Sequence, residues 1–156
     1  MIAVIQRVST ATVEVDGTVC GRCGRGMLIL LGVAAGDTSR DAEALAEKIT
    51  KLRIFEDGTG KMNRSLIDVG GGVLVVSNFT LLADYRHGNR PSYIGAEAPD
   101  DAKRLYEHFS AHMAAGGVPV GNGIFGADMQ VSLVNDGPVT LTLDSRILLG
   151  RAGCLQ

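Results

Sequence analysis

The sequence has no surplus of positive charge: 15 Lys and Arg stand against 17 Asp and Glu, for a net charge of −2. Proteins that grip a nucleic-acid duplex through its phosphates usually carry a basic excess. General DNA binding is therefore not expected, and any nucleic-acid contact has to be local or confined to a terminus. No apolar run reaches the roughly 18 residues of a membrane helix, so no membrane partner is expected. The opening "MIAVIQRVST" lacks the charged start and small-residue cleavage site of a signal peptide and reads as a first strand, which makes the cytoplasm the expected compartment.

Catalytic vocabulary of the common kinds is also scarce. There is no G-x-S-x-G, no P-loop and no H-E-x-x-H. Histidines number three. His108 and His112 are one helical turn apart beside a solvated face, and His87 lies in a polar loop. Asp100-Asp101 read as charges at a helix N-terminus. A conventional serine or cysteine hydrolase triad is not supported. Cysteines also number three, Cys20, Cys23 and Cys154. "CGRC" has C-x-x-C spacing, but His108 and His112 lie about 85 residues away rather than the usual 12–15 or so. The stretch around it reads as strand, turn, strand. Free thiols in a reducing compartment are the expectation, with zinc binding or redox chemistry the less favoured reading.

Glycine is abundant, at 21 residues, while the hydrophobic share of 46% and charged share of 21% are ordinary. Many glycines without a repeat imply many turns, hence many short strands. The length fits one domain, here residues 1–145, followed by a short, loosely attached tail over 146–156. Residues 1–8 and "ATVEVDG" alternate as strands. "GMLILLGV" and "GGVLVVSNFTLL" are apolar runs suited to buried strands. Ala42, Leu45, Ala46, Ile49 and Leu52 recur at helical spacing behind a cap at Thr38 or Ser39. A second helix starts at Pro99, carries the stripe Ala102, Leu105, Tyr106, Phe109 and Met113, and stops at Gly116-Gly117. "RIFEDGTGKMN" holds a short strand and a turn, residues 83–98 form a loop, and further strands are expected near 124–126, 129–134 and 138–143. The fold class is a single layered α/β domain of mixed, largely antiparallel sheet with two main helices.

Two stretches carry the chemistry. In "VVSNFTLL" a buried strand ends in Ser77, Asn78 and Thr80. These are either polar residues that satisfy a strand end, or a strand terminus opening on a cleft. In "NDGPVT", 135–140, Asn-Asp-Gly is hairpin chemistry, yet the proline that follows has no N–H for a ladder. Glycine before proline suits a cis bond, which costs only about 0.5–1 kcal/mol there. That bond serves either plain turn building or a functional device.

Together "SNFTL" at 77–81 and "NDGPVT" at 135–140 resemble the two signature motifs of the D-aminoacyl-tRNA deacylases, normally Ser-Gln-x-x-Leu and Asn-x-Gly-Pro-Val-Thr. "MIAVIQRVS", "GMLILLGV", "RIFEDGTGKMN", "GNRPSY" and "ADMQVSLVNDGPVT" also look like the family, in matching order. The resemblance implies a homodimeric cytoplasmic hydrolase of the deacylase fold. It would use no cofactor or metal and cleave the ester between a D-amino acid and the 3′-terminal adenosine of tRNA. It implies a catalytic role for Ser77, Asn78, Phe79 and Thr80, with backbone N–H groups near Phe79 and Thr80 holding the oxyanion. Thr80 Oγ1 would be a polar contact or a nucleophile, and the ribose 2′-hydroxyl would help to activate water.

The resemblance further implies a cis Gly137-Pro138 bond that enters the partner subunit's site as a chiral filter, its two carbonyls facing the substrate α-amino group. Physically such a filter is needed. A methylene-sized difference yields only about 1–3 kcal/mol of discrimination, whereas a roughly 10⁴-fold preference takes about 5.5 kcal/mol, so a rigid clash has to reject the L form. Asn78 departs from the family's glutamine by one methylene, which puts side-chain contacts at that position in question. A small-ester esterase and a non-catalytic nucleic-acid-binding protein of the same fold are the rival readings.

Overall fold

A computed structural model describes residues 1–151. The chain is organised around β1 (Ile2–Val15), a single strand of 14 residues where alternation suggested two. A turn at Asp16-Gly17, both with positive φ, returns it to β2 (Thr18–Cys23). The apolar run then forms β3 (Gly26–Gly32), which pairs antiparallel with residues 2–8 of β1. Helix α1 (Ser39–Lys51) follows behind the Thr38 cap. The Asp41 carboxylate accepts both the Thr38 N–H at 2.9 Å and its hydroxyl at 2.8 Å. A small hairpin, β4 (Phe55–Glu56) and β5 (Met62–Arg64), leads into β6 (Gly72–Ser77), which lies parallel to β3. After a long loop come α2 (Pro99–Ala115), β7 (Val120–Asn122) parallel to β6, and β8 (Gln130–Asp144) antiparallel to β1. A short helix, α3 (Ser145–Leu148), ends the ordered elements.

The sheet thus runs β8-β1-β3-β6-β7, with β2 continuing the β3 edge of β1. The predicted mixed α/β domain is observed. Antiparallel pairs predominate because one long strand, β1, is the partner of three others.

One face of the sheet packs on α1 and α2. Ala42, Leu45, Ala46 and Ile49 of α1 and Leu105, Phe109 and Met113 of α2 meet Ile5, Ile29 and Val75 there. The other face holds a smaller cluster of Val8, Val13, Leu28, Leu74 and Val76. Over that face β2 crosses β6 and β7 at backbone contact. A Cβ on Gly21 would sit 2.3 Å from the Asn122 carbonyl oxygen, and one on Gly121 would sit 2.5 Å from that of Arg22. Only glycine permits this crossing, which curls the sheet toward a closed shape.

Three expectations need correction. No strand occupies 124–126; the pairing residues are Val120–Asn122, in a Gly-rich stretch without alternation. The tail is not loose as far as it is described. Arg146 donates to the Ala35 carbonyl at 2.9 Å and Arg151 pairs with Asp41; residues 152–156, Cys154 among them, lie outside the described residues. Finally, "NDGPVT" is not a hairpin. Residues 130–135 and 140–144 both pair β1 in the same sense, so the chain does not reverse. Four residues, Asp136 to Val139, oppose the single residue Arg7 and bulge out of one long strand.

Candidate active site

A cavity of about 710 Å³ opens where β6 ends. Its walls come from β3 and β6 (Leu30, Val76), from the start of α2 (Pro99, Ala102) and from the segment entering β8 (Phe125, Met129). Ser77, Asn78 and Phe79 stand on its edge. Such a volume suits a nucleoside-sized ligand.

The turn is fixed by the sheet. Ser77 pairs with Leu31, and the Asn78 N–H donates to the Leu31 carbonyl at 2.8 Å, so the chain leaves the ladder at one defined point. Asn78 then caps a 3₁₀ turn over Phe79–Leu82. Its Oδ1 accepts the Thr80 N–H at 3.2 Å and, in a shorter contact, the Thr80 hydroxyl. An asparagine has the reach for this local Asx-type closure. Two consequences follow. The Thr80 hydroxyl donates to an amide oxygen, which is no general base. Of the two N–H groups expected to hold an oxyanion, that of Thr80 is engaged by Asn78, while that of Phe79 has no partner among the described residues. The Ser77 hydroxyl has none either.

The cavity's deeper polar group is Tyr106. Its hydroxyl lies 2.8 Å from the Val75 carbonyl and 3.2 Å from Asn122 Oδ1, which also accepts from Ser110 at 2.7 Å. Burial pushes the phenol up to about 12. It stays neutral and straps α2 to β6 rather than exchanging protons. Phe79, by contrast, is 58% exposed and meets the Tyr93 ring edge-on at 5.0 Å.

The 136–139 bulge is built by its neighbours. The Asn135 amide replaces the missing ladder across the base: Oδ1 accepts the Val139 N–H at 2.9 Å, and Nδ2 donates to the Val139 carbonyl at 3.3 Å and to Thr140 Oγ1 at 3.1 Å. From beneath, the buried Arg7 donates to the Asp136 carbonyl at 3.1 Å and to the Ile54 carbonyl at 2.6 Å. Gly137 has φ +131°, the Gly137-Pro138 bond is cis, and both residues are exposed. Gln6 links this motif to the cavity, since it lines the cavity and its Nε2 donates to Thr140 Oγ1 at 3.3 Å.

The two motifs do not meet within one chain. Ser77 is in register with Leu31 and Ala3, whereas the bulge faces Arg7, four residues along β1 and three strand spacings away from β6. At about 3.4 Å per residue and about 4.8 Å per strand, that separation is on the order of 20 Å. Arg7 and Gln6 were not singled out from sequence, although a charged residue inside the apolar run of a central strand was a signal. Cys20 and Cys23 are free thiols that donate hydrogen bonds to the Val13 and Met27 carbonyls respectively, and no group of three potential metal ligands exists among the described residues. His108 and His112 face Glu43 and Glu47 of α1, at 2.9 and 3.7 Å, far from the strand-end turn in sequence and role.

Comparison with known proteins decides the family. The sequence profile of D-Tyr-tRNA(Tyr) deacylase matches residues 4–144. The chain belongs to that family. It is 57% identical to a D-aminoacyl-tRNA deacylase of Deinococcus radiodurans over 92% of this chain and 99% of that protein. A D-aminoacyl-tRNA deacylase of Roseiflexus castenholzii is 59% identical over 94% of each chain. Among solved structures, one titled c-Myc DNA Unwinding Element Binding Protein is 39% identical, with a TM-score of 0.87 over 92% of this chain and 98% of that one. A second, titled a probable eukaryotic D-amino acid tRNA deacylase, is 17% identical with a TM-score of 0.75 over 91% and 97%, and shares the fold. Within this deacylase family the chain carries asparagine at position 78, self-closed onto Thr80.

Proposed function

We propose that this chain is a D-aminoacyl-tRNA deacylase, a carboxylic ester hydrolase of translation quality control that frees tRNA from D-amino acids. The observation that carries the reading is the turn at Ser77–Thr80, which presents the unpartnered Phe79 N–H at the edge of a nucleoside-sized cavity. A backbone N–H held by a sheet is already aimed when charge develops, so it costs no reorganisation in the transition state. The terminal adenosine occupies the cavity and the ester carbonyl lies against Phe79 N–H. With the Thr80 hydroxyl turned onto an amide oxygen, the ribose 2′-hydroxyl beside the ester assists the attacking water. Side chains here supply position rather than a nucleophile.

The protein works as a homodimer in this reading. The Ser77–Thr80 turn and the Gly137-Pro138 bulge are too far apart to form one site in cis, and the outer edge of β8 pairs with no strand among the described residues. An open edge of this length usually finds a cover. The bulge of one protomer enters the cavity mouth of the other, and its carbonyls take the substrate α-amino group. Its rigid backbone leaves no room for an L side chain, so L-aminoacyl-tRNA is rejected without reading side-chain identity. No helix among the described residues is long and apolar enough to cross a membrane, and the working compartment is the cytoplasm, where charged tRNA is found.

The test is deacylation of D- and L-tyrosyl-tRNA side by side, with a free small ester as a third substrate. Cleavage of the D form alone is expected. Cleavage of the small ester alone would identify a general esterase, and cleavage of none would leave a nucleic-acid-binding protein.

A further inference from the structure

Aromatic side chains are few here, four Phe and three Tyr with no Trp, and they are unevenly placed. Phe55, Phe109 and Tyr106 are buried and Phe125 is half-buried. The three that are exposed are Phe79, Tyr85 and Tyr93. Tyr93 rests on Phe79 at the cavity edge, and Tyr85 is 76% exposed on the same loop. The loop is closed at its base and its chain runs on into the cavity wall. Asp84 and Ser92 exchange backbone hydrogen bonds of 2.7 and 2.8 Å, and Ala96 and Glu97, where it ends, line the cavity.

Its charge leans positive in a chain that is acidic overall, two arginines standing against the single acid Asp84. Between residues 85 and 94 stand Arg86, His87 and Arg90 and no acid. Arg86 is held by Asp84 in a two-pronged pair, with Nε to Oδ1 at 2.9 Å and Nη2 to Oδ2 at 2.7 Å. Arg90 is exposed and has no hydrogen-bonding or ionic partner among the described residues, while His87 is exposed beside the Asp84 carboxylate and interacts with its charge. Flat rings for stacking beside an unpaired guanidinium are the two components of single-strand nucleic-acid recognition.

We propose that the loop of residues 84–94 binds the unpaired nucleotides that precede the terminal adenosine of the tRNA, with Tyr85 and Tyr93 stacking on bases and Arg90 and His87 at phosphates. The inference rests on the deacylase reading and deepens it. The cavity takes the terminal adenosine and its amino acid, and the rim takes the strand that leads into it. It also reconciles tRNA as substrate with a net charge of −2, because the interaction is confined to a short single strand and needs only a local cationic patch.

The experiment compares two substrates on the same variants: D-tyrosyl-tRNA and a D-tyrosyl ester of adenosine alone. The variants are Arg90→Gln, Tyr85→Ala and the double substitution, each exposed, with folding checked by thermal melting and oligomeric state by light scattering. For the double variant, kcat/KM on D-tyrosyl-tRNA is expected to fall about tenfold or more, while that on the adenosine ester stays within about twofold. The salt dependence on tRNA should also flatten, by about 0.7 in log–log slope for each phosphate that is no longer neutralised. Equal losses on both substrates, no loss on either, or a change of oligomeric state in the variants would each overturn the proposal. If the unsubstituted protein cleaves neither substrate, it is the deacylase reading that fails.

Discussion

Arg7 and Asp136 meet twice. The Arg7 Nε donates to the Asp136 backbone carbonyl at 3.1 Å and also lies 3.2 Å from its carboxylate. The Arg7 side chain is almost wholly buried and its other arm holds the Ile54 carbonyl, so the start of the bulge is tied to the core beneath it. Arg7→Lys keeps the charge and loses the fork. It should cost about 1–3 kcal/mol in urea unfolding through the carbonyls left without a donor. Because the bulge then loses its support, the preference for D- over L-tyrosyl-tRNA should narrow. A variant with unchanged stability and unchanged preference would show that the tie has no role.

Gly137 and Gly58 make a matched pair of tests. A Cβ on Gly137 would lie 2.9 Å from both the Val139 nitrogen and its Cγ2 and 3.2 Å from Arg7 Nη2, at a φ of +131°. A Cβ on Gly58 meets nothing within 4 Å. Gly137→Ala should destabilise by about 1–3 kcal/mol and weaken the rejection of L substrates. Gly58→Ala should stay within about 0.5 kcal/mol with selectivity intact. Thermal melts and paired deacylation assays read both.

Thr80→Ala should reduce kcat by less than about tenfold, because its hydroxyl is given to Asn78 rather than to a base. Removing a true nucleophile can cost about 10⁶. Replacing the terminal ribose with 2′-deoxyribose should therefore hurt more than Thr80→Ala does, and the reverse ranking would make Thr80 the nucleophile. Asn78→Asp should be the more damaging side-chain change at the turn, since it places a negative charge next to the proposed oxyanion site.

Asp41 gives the fold an acid limit. Burial opposes its charge, but hydrogen bonds from Ser145 and Thr38, with Arg151 nearby, hold its pKa down at about 2. Its folded pKa lies below its unfolded one, so the charged form favours folding. That contribution is present above about pH 4 and is lost as pH falls toward 2, and amounts to no more than about 2 kcal/mol. Urea unfolding at pH 6 and pH 3 should show a smaller pH-dependent loss in Asp41→Asn than in the unsubstituted protein. Equal losses would move the acid sensitivity to other carboxylates.

Glycine bears on the filter itself. A site that selects by excluding an L side chain has no means of excluding a substrate with none. Glycyl-tRNA should therefore be cleaved where L-alanyl-tRNA resists, at equal enzyme concentration. Resistance of both, with a D-aminoacyl-tRNA cleaved, would mean that the D side chain is recognised directly.

Much of the architecture was legible because it is locally encoded. The periodic stripe of α1, the Pro99 start of α2 and the apolar runs of β3 and β6 each carry their own signal, and each folds as read. The "NDGPVT" stretch was not, for a physical reason. Asn-Asp-Gly favours a tight turn whether or not the chain reverses, and what prevents reversal is that both flanks find β1, more than 100 residues earlier in the sequence. The self-closure of Asn78 onto Thr80 is equally invisible in residue types, since it depends on where the sheet releases the chain. The attachment of residues 145–151 rests on partners as distant as Ala35 and Asp41.

The placement of Gly137-Pro138 inside a strand, rather than at a hairpin tip, has an evolutionary consequence. A hairpin's loop length sets the register of the strands that leave it, and a slip of one residue turns every side chain to the opposite face. Here the flanking segments 130–135 and 140–144 are each registered independently against β1. Residues can be gained, lost or exchanged between them without shifting either segment. The sheet therefore insulates the rest of the molecule from changes at the bulge, so the reach and shape of this one loop can be tuned by selection while the fold that carries it stays the same.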